Sequence, residues 1–268
     1  MAAKKKAVTK RKKKSTAMVD YKERYRQMAE EQSEKLPSGT ATLSIKGGSF
    51  TYQGADLGEE LDCIILDFGY ENSWYDRPYN PDDMGPPACY AIAQSNKNME
   101  PEDDSPVRQC EDCNNCDLNQ WGSAGSGRGK ACGNHRRLAI MSVTDIENDP
   151  ENIEVVMLRT PPTSNSNFDK YAKGVSKVRK VPLCGVVTRI SFDPDEDWEK
   201  LIFTATDMVD EDHIGKVMEK VDEAQEMIME KYDVSGYEKP TPTKRKGRTA
   251  PKKKAGAKKK RGKSKFSK

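Results

Sequence analysis

The sequence predicts a mainly β domain that carries one long irregular loop, with a helix on either side and charged tails at both ends. Three observations lead to this fold class. Short β-type runs lie between positions 40 and 206, cysteines cluster inside a segment poor in apolar residues, and Lys and Arg concentrate at the two termini. Apolar residues that alternate with a period of two are typical of half-buried strands.

The two ends of the chain differ from its middle in charge. The 268-residue chain has 46 Lys and Arg against 43 Asp and Glu, yet positions 1–14 hold eight basic residues and positions 244–268 hold fourteen, with no acidic residue in either. Stretches of like charge cannot bury apolar surface. We therefore expect disordered basic arms at 1–17 and 235–268, and an acidic middle.

Helices are expected next to both arms. Residues 18–37 have the pattern of a charged surface helix, which Pro37 ends. Residues 208–234 carry apolar side chains at spacings of three and four, as an amphipathic helix does. These side chains include Ile214, Val217, Val221, Ala224 and Met227.

The strands are expected in two groups, on either side of an irregular segment. The β-type runs lie at 42–45, 50–52, 61–68, 137–143, 153–159, 181–192 and 200–206, and 168–173 favours a short helix. The domain is thus expected to span 38–207. Positions 72–131 are rich in Pro, Asn, Asp, Gly and Cys, and a loop of that length inside a compact domain needs something to hold it.

The cysteines are expected to stay reduced. The chain has no run of about 20 apolar residues that could span a membrane, and its N-terminus lacks the apolar core of a signal peptide. We therefore expect a cytoplasmic protein with no membrane partner. Clustered reduced thiols are candidate metal ligands, whereas Cys63 and Cys184 lie in apolar runs and are expected in the core.

The candidate metal site is built on Cys110 and Cys113. Two thiolates at this spacing can reach one ion from a single turn, which is typical of a structural zinc site. Cys132 supplies a third ligand, and for the fourth we favour Cys89, because it closes the far end of the loop. Zinc bound in this way would contribute on the order of 10 kcal/mol to ordering the segment.

Two alternates for the fourth ligand stay open, Cys116 and His135. Cys116 lies so close to Cys113 that three thiolates would crowd one ion. An iron–sulfur cluster and unliganded thiols are further alternatives, although the Cys-Pro that ends the bacterial ferredoxin motif is missing. A catalytic zinc keeps an open position and a nearby base, and His135 and His213 are the only histidines. We therefore expect no enzymatic activity.

The segment between the metal ligands has the composition of a phosphate-binding loop. Trp121 can stack on a base, glycines let main-chain amides approach phosphates, and Arg128 and Lys130 supply positive charge. Arg136 and Arg137 extend this basic patch. The alternative is that Trp121 packs under the loop as its small core.

A second aromatic group lies where the third β-type run meets the loop. Trp74 and Tyr75 precede Arg77 there, with Tyr79 close by. Exposed aromatic residues at the end of a strand can form a platform for stacked bases. The alternative is that Trp74 and Tyr75 close the interior of the barrel.

The order of these motifs resembles a family of phage-encoded, zinc-containing single-stranded DNA-binding proteins. The residues that carry the resemblance are Pro86-Pro87-Ala88-Cys89, Cys110-x2-Cys113, Asn119-x-Trp121-Gly122-Ser123, Gly127-x-Gly129-Lys130-Ala131-Cys132 and Arg136-Arg137-Leu138, with two further blocks at 158–164 and 185–194. It covers about 38–208. The resemblance implies an OB-fold-like barrel with a zinc-stapled loop insertion at about 72–136, the ligands favoured above, and a nucleic-acid surface that includes Arg159.

The chain departs from the family pattern in two places. Cys116 stands where the family has a proline, which keeps an exchange of zinc ligands open. The chain also ends in a basic tail, whereas many single-strand binders end in an acidic tail that recruits partner proteins. Basic tails add salt-sensitive affinity for any polyanion.

Two functions are therefore compared. The first is binding of single-stranded DNA without strong sequence preference, in phage DNA replication, recombination or repair in the host cytoplasm. The second is an architectural protein whose tails bind duplex DNA or RNA, while the zinc domain docks replication or transcription proteins. A zinc enzyme acting on nucleic acid is the third and weakest hypothesis, because the sequence offers no base for it.

Overall fold

The structure is a computed structural model that describes residues 41–77, 85–125 and 127–239, together with six helical positions between 21 and 32. Those six positions are exposed, as expected of a surface helix, and they are Tyr21, Arg24, Tyr25, Gln27, Met28 and Gln32. The rest of the predicted helix at 18–37, the arm at 1–17 and the tail from position 240 lie outside the described residues.

The described residues form one mixed nine-stranded sheet. Its strands are β1 (Thr42–Lys46), β2 (Ser49–Tyr52), β3 (Ala55–Gly58), β4 (Glu60–Trp74), β5 (Cys89–Ala93), β6 (Gly133–Ser142), β7 (Val156–Arg159), β8 (Val186–Phe192) and β9 (Leu201–Met208). The order is β3-β2-β1-β7-β6-β4-β8-β9, and β5 pairs with β4. β1 and β7 are parallel, and the remaining pairs are antiparallel.

Strand β4 organises the sheet because it is long enough to have three neighbours. One edge pairs with β6 along most of its length. The other edge pairs first with β8, through Glu60–Ile64, and then with β5, through Tyr70–Trp74. This arrangement brings Cys89 opposite Trp74 at the end of the sheet that faces the cysteine-rich segment.

The sheet curls into an open half-barrel. Phe50 of β2 and Phe192 of β8 lie far apart in the strand order, yet their ring centres are 4.8 Å apart. The concave side holds an apolar core that includes Leu138, Leu158 and Phe168. Strand twist of a fixed hand produces this curling, which buries apolar side chains on the inner face. The prediction of a mainly β fold is confirmed.

Four helices cover the described sheet: α1 (Val143–Asn148), α2 (Asn165–Gly174), α3 (Ile214–Glu219) and α4 (Val221–Met229). α2 contributes Phe168 to the concave core, and α4 places Ala224 and Ile228 in a second core on the convex side. Gly69 makes the second contact close, because a Cβ atom at this position would lie 2.4 Å from Cγ2 of Ile228. No described helix is long and apolar enough to cross a membrane.

The prediction of one helix at 208–234 is wrong in its extent. Met208 still belongs to β9, and the helical region is divided at Lys220 into α3 and α4. Helix α4 ends at Met229, where the buried guanidinium group of Arg137 donates to the carbonyl oxygens of Ile228 and Glu230 at 2.8 and 2.6 Å. Tertiary contacts with a cation at the helix end therefore decide where the helix ends.

The loop insertion predicted at about 72–136 is also shorter than expected. β4 extends to Trp74, β6 begins at Gly133, and β5 forms inside the segment at Cys89–Ala93. Four of the five β5 residues are buried. A short strand buried on both faces shows no alternation, so its sequence does not distinguish it from the loop around it.

A cysteine cavity beside an exposed tryptophan

Five cysteine side chains line one small cavity at the end of β4. The cavity has a volume of about 20 Å³, which is room for about one water-sized particle. The five residues are Cys89, Cys110, Cys113, Cys116 and Cys132. The fold therefore brings together all four predicted zinc ligands and one of the two alternates.

Main-chain hydrogen bonds hold the cysteine segment in place. The amide of Cys113 donates to the carbonyl oxygen of Met99 at 2.9 Å, and the amide of Cys132 donates to that of Leu118 at 2.9 Å. The buried side chain of Asn119 donates to the carbonyl oxygen of Cys113 at 2.7 Å. The segment thus has a defined path although it contains little regular structure.

Burial keeps these thiols protonated in the absence of a cation. Desolvation raises the pKa of Cys113 to about 11 and that of Cys132 to about 12, with a further contribution from neighbouring thiols. Desolvation also raises the pKa of Cys89 and Cys110. A divalent metal ion reverses this effect, since it binds the thiolate form and favours loss of the proton.

The residue types fit a structural zinc ion, but coordination geometry is not preformed. Among the described residues, no group of three or more His, Cys, Asp or Glu side chains is arranged to hold a metal ion. The fit rests on the chemistry of the donor set, since zinc prefers thiolate ligands, and on the shared cavity.

His135 lies outside the cavity lining. Its Nδ1 is 2.8 Å from the carbonyl oxygen of Thr160, and β6 places it opposite Glu71. Desolvation lowers the pKa of His135 to about 4. Of the two alternates for the fourth ligand, only Cys116 is positioned next to the other thiols. Cys63 packs in the concave core and Cys184 against the convex one, as predicted.

Trp121 is the most exposed aromatic side chain in the described part of the cysteine segment, at 80%. The ammonium group of Lys130 lies 5.5 Å from the centre of its ring. This exposure contradicts the alternative that Trp121 forms a small core under the loop. An exposed indole ring and a half-buried cation instead lie side by side.

A polar network connects this place to the sheet. The Lys130 ammonium donates to the side-chain oxygens of Asn119 and Asn134 at 3.2 and 3.0 Å. Asn134 in turn donates to the side-chain oxygen of Asn72 on β4. The position of Lys130 beside Trp121 is therefore set by residues of two central strands.

The loop between Trp121 and Lys130 closes on itself. Gly122 and Gly127 have φ angles of 88° and 75°, which favour glycine because a Cβ atom would be strained there. The amide of Gly122 donates to the carbonyl oxygen of Gly129 at 3.0 Å. Arg128 lies at the exposed tip of this loop.

The aromatic residues predicted to form one group at the end of β4 lie in different environments. Trp74 is half-buried and lines the cysteine cavity, so it does not close the barrel interior. Tyr75 is exposed. The guanidinium group of Arg77 donates to the carbonyl oxygen of Glu238 at 3.0 Å and lies 5.9 Å from the ring centre of Tyr237. Tyr79 lies outside the described residues.

Three predicted nucleic-acid ligands have other partners within the fold. Arg136 is buried, pairs with Asp169 at 2.9 Å and lies over the ring of Tyr70. Arg137 and Arg159 both pair with the buried carboxylate of Glu71. Buried charges need such partners, because desolvation is costly. These guanidinium groups are engaged inside the fold and are not part of a free cationic surface.

Sequence reasoning missed a pair of aromatic residues on the concave side. Alternate residues of β4 share one face, and on this face Phe68 and Tyr70 precede Asn72 and Trp74. Phe68 and Tyr70 line a groove of about 530 Å³ beside α2, together with Lys173. Their spacing of two residues inside a predicted strand is the signal that could have found them.

Comparison with models of protein families, with curated proteins and with solved structures gave no match. The resemblance to phage single-stranded DNA-binding proteins therefore stays a prediction based on the motifs alone.

Proposed function

We propose that this chain binds single-stranded nucleic acid, DNA in particular, without strong sequence preference. The observation that carries the proposal is the pair formed by Trp121, 80% exposed, and Lys130, whose ammonium group lies 5.5 Å from the indole ring. An aromatic face can stack on any base, and a nearby cation can pair with the adjoining phosphate.

The proposed surface continues from this pair along β4. Phe68 and Tyr70 line the groove beside α2, where Arg136 covers one face of the Tyr70 ring, and Lys173 lies in the same groove. Tyr75 is exposed at the end of the strand. Several aromatic faces along one strand suit an unpaired chain of bases, because duplex DNA keeps its bases stacked inside the helix.

An OB-fold-like arrangement is part of the proposal. The supporting observation is the curled sheet, which leaves a groove on its concave side between β4 and α2. OB-folds bind oligonucleotides across one face of a curled sheet. Together with the motif resemblance, this favours a role in phage DNA replication, recombination or repair in the host cytoplasm. The proposal assigns no chemical reaction to the chain.

One structural zinc ion is the proposed cofactor. Cys89, Cys110, Cys113 and Cys132 would hold it, with Cys116 as the alternate for one position, since all five line one cavity. The ion would supply ligand bonds that fix the segment around it. A main-chain hydrogen bond then connects the ordered segment to the neighbourhood of Trp121, because the Cys132 amide donates to the carbonyl oxygen of Leu118. Leu118 lies three residues before Trp121 in the sequence.

The distribution of charge supports a role for the tails. Residues 41–77, 85–125 and 127–239 contain 20 Lys and Arg against 36 Asp and Glu, whereas positions 1–14 and 244–268 in the tails hold 22 basic residues and no acidic one. An acidic folded domain repels a polyanion, so most long-range attraction must come from the tails. This same observation favours the second candidate, an architectural protein that binds duplex DNA or RNA through its tails.

A competition titration distinguishes the two candidates. A labelled oligo-dT strand is bound to the full chain while tryptophan fluorescence is followed, and unlabelled duplex DNA is then added at equal mass. We expect quenching by the strand and little displacement by the duplex. Equal displacement by the duplex, with constant tryptophan fluorescence, would contradict the first candidate.

A chain shortened to residues 18–239, which lacks the basic residues of both tails, provides the matching test. The first candidate predicts weaker binding of oligo-dT with a smaller salt dependence, because the domain still stacks bases while fewer counterions are released. Complete loss of binding to strand and duplex alike would favour the architectural protein.

A further inference from the structure

The half-barrel has an apolar groove at a second opening, away from the cysteine cavity. The groove has a volume of about 380 Å³. Its apolar lining includes Leu43 of β1, Tyr52 of β2, Leu57 of β3, Leu61 of β4 and Val156 of β7. Leu57 is 43% exposed there. Exposed apolar surface of this kind often marks a binding site.

The N-terminal helix carries an apolar stripe of matching character. Tyr21, Tyr25 and Met28 are helical, with exposed fractions of 63%, 69% and 45%. Their spacing, i, i+4 and i+7, places the three side chains on one helix face. It is also the spacing of the anchors that a helix uses when it binds in an apolar groove.

We propose that this segment of the same chain docks into the groove through Tyr21, Tyr25 and Met28. The path of the chain supports docking within one molecule. Ala41 is already held beside the sheet, because its carbonyl oxygen accepts from the amide of Met157 at 2.7 Å. The nine residues from 33 to 41 reach at most about 30 Å.

This short connection favours the cis arrangement over a partner molecule. A short tether gives its two ends an effective concentration in the millimolar range. The groove begins at Leu43, only two residues beyond Ala41. A second copy of the chain would have to compete with a helix that is already held next to the groove.

Charge at the edge of the groove agrees with this occupant. Asp145 and Glu154 line the groove and are exposed. Arg24 precedes Tyr25 and lies on the flank of the apolar stripe. A docked helix would bring the guanidinium group towards carboxylates, which would help to set its orientation.

Site-specific photocrosslinking of the full chain tests the proposal. A benzophenone amino acid replaces Tyr25, and in a control chain it replaces Gln27, which points away from the stripe. We expect a several-fold higher crosslink yield from position 25, within single chains, in peptides that contain Leu57 or Leu61. The yield should fall in a Leu57→Glu chain, whose fold is checked by its thermal unfolding.

Two outcomes would overturn the proposal. Equal yields from positions 25 and 27 would mean that the stripe has no preferred contact. Crosslinks found only between two chains, with a yield that rises with protein concentration, would assign the groove to a second copy. The test uses no nucleic acid and no metal, so its result is independent of the proposed function.

Discussion

The ammonium group of Lys130 lies 5.5 Å from the centre of the Trp121 ring, and the side chains of Asn119 and Asn134 hold it there. Since Asn134 is bonded to Asn72 of β4, the exposed indole and its cation are connected to the centre of the sheet. A binding surface on a loop gains from such support, because less conformational entropy is lost when the ligand binds.

Replacing Trp121 by Ala should weaken binding of oligo-dT without affecting the fold. Loss of one stacked base costs about 1 to 3 kcal/mol, or about 5- to 150-fold in Kd. The measurement is a fluorescence anisotropy titration, and Trp198→Ala is the matched control because Trp198 is also exposed but lies in a different, acidic groove. Equal losses in both variants would contradict a specific role for Trp121.

Replacing Lys130 by Gln should reduce the salt dependence of binding. If the ammonium group pairs with one phosphate of a single strand, the slope of log K against log salt should decrease in magnitude by about 0.7. Lys216→Gln, on the convex-side helix α3, provides the control and should leave the slope unchanged. An unchanged slope for Lys130→Gln would show that this cation does not contact phosphate.

Replacing Cys113 by Ser should abolish stoichiometric zinc binding. Purified wild-type protein should contain about one zinc ion per chain, since four thiolates complete a structural site. Cys184→Ser is the control, because Cys184 packs against the convex core outside the cavity. The measurement is metal analysis by mass spectrometry, and wild-type protein without zinc would refute the proposed cofactor.

The same metal analysis on Cys89→Ser and Cys116→Ser identifies the fourth ligand. We expect Cys89→Ser to lose zinc and Cys116→Ser to retain it, in line with the predicted ligand set. The reverse pattern would exchange the two residues, both of which line the cavity.

Replacing Glu71 by Gln should destabilise the fold strongly. The Glu71 side chain is fully buried and pairs with Arg159 at 2.7 Å and with Arg137 at 3.4 Å. Removing its charge leaves the buried guanidinium group of Arg137 and the half-buried one of Arg159 without this counterion, which costs about 3 to 5 kcal/mol. Urea unfolding measures this, and exposed Glu60→Gln should change stability by less than about 0.5 kcal/mol.

Stability should fall as the pH is lowered from about 6.5 to about 4, owing to His135. Its pKa is lowered from 6.5 to about 4, first by desolvation and then by Arg159. Between these values the unfolded chain binds a proton that the folded chain does not, so stability rises with pH across this window. The full effect is roughly 3 kcal/mol.

Urea unfolding at a series of pH values tests this prediction. His135→Asn removes the titrating group and leaves an amide in place of Nδ1, which contacts Thr160. The variant should therefore show a flatter dependence between pH 4 and 6.5 than the wild type. Identical slopes would mean that His135 does not titrate as expected.

Much of the fold could be predicted because it follows from local patterns of apolar residues in the sequence. The strands at β4, β6 and β8 were expected from apolar runs, and Cys63 was expected in the core. β5 was missed because its five residues, four of them buried, show no alternation of apolar and polar side chains. The end of α4 was missed because Arg137, 91 residues from Ile228 in sequence, ends the helix.

The candidate site was predicted in part for the same reason. The cysteine spacing indicated which thiols could share an ion, and the composition of the loop indicated Trp121 and Lys130. Neither the cysteine spacing nor the loop composition predicts which of these side chains are exposed to solvent. Arg136, Arg137 and Arg159 look like surface cations in sequence, but strand register places them next to Asp169 and Glu71.

The sequence by itself determined the charge of the tails, the β class of the middle and the concentration of thiols in one segment, since composition and period are local properties. Only the tertiary structure decided that five thiols share one cavity, that three arginines are paired within the fold, and that Trp121 faces solvent. Burial and pairing depend on which distant strands become neighbours, and no local pattern records that choice.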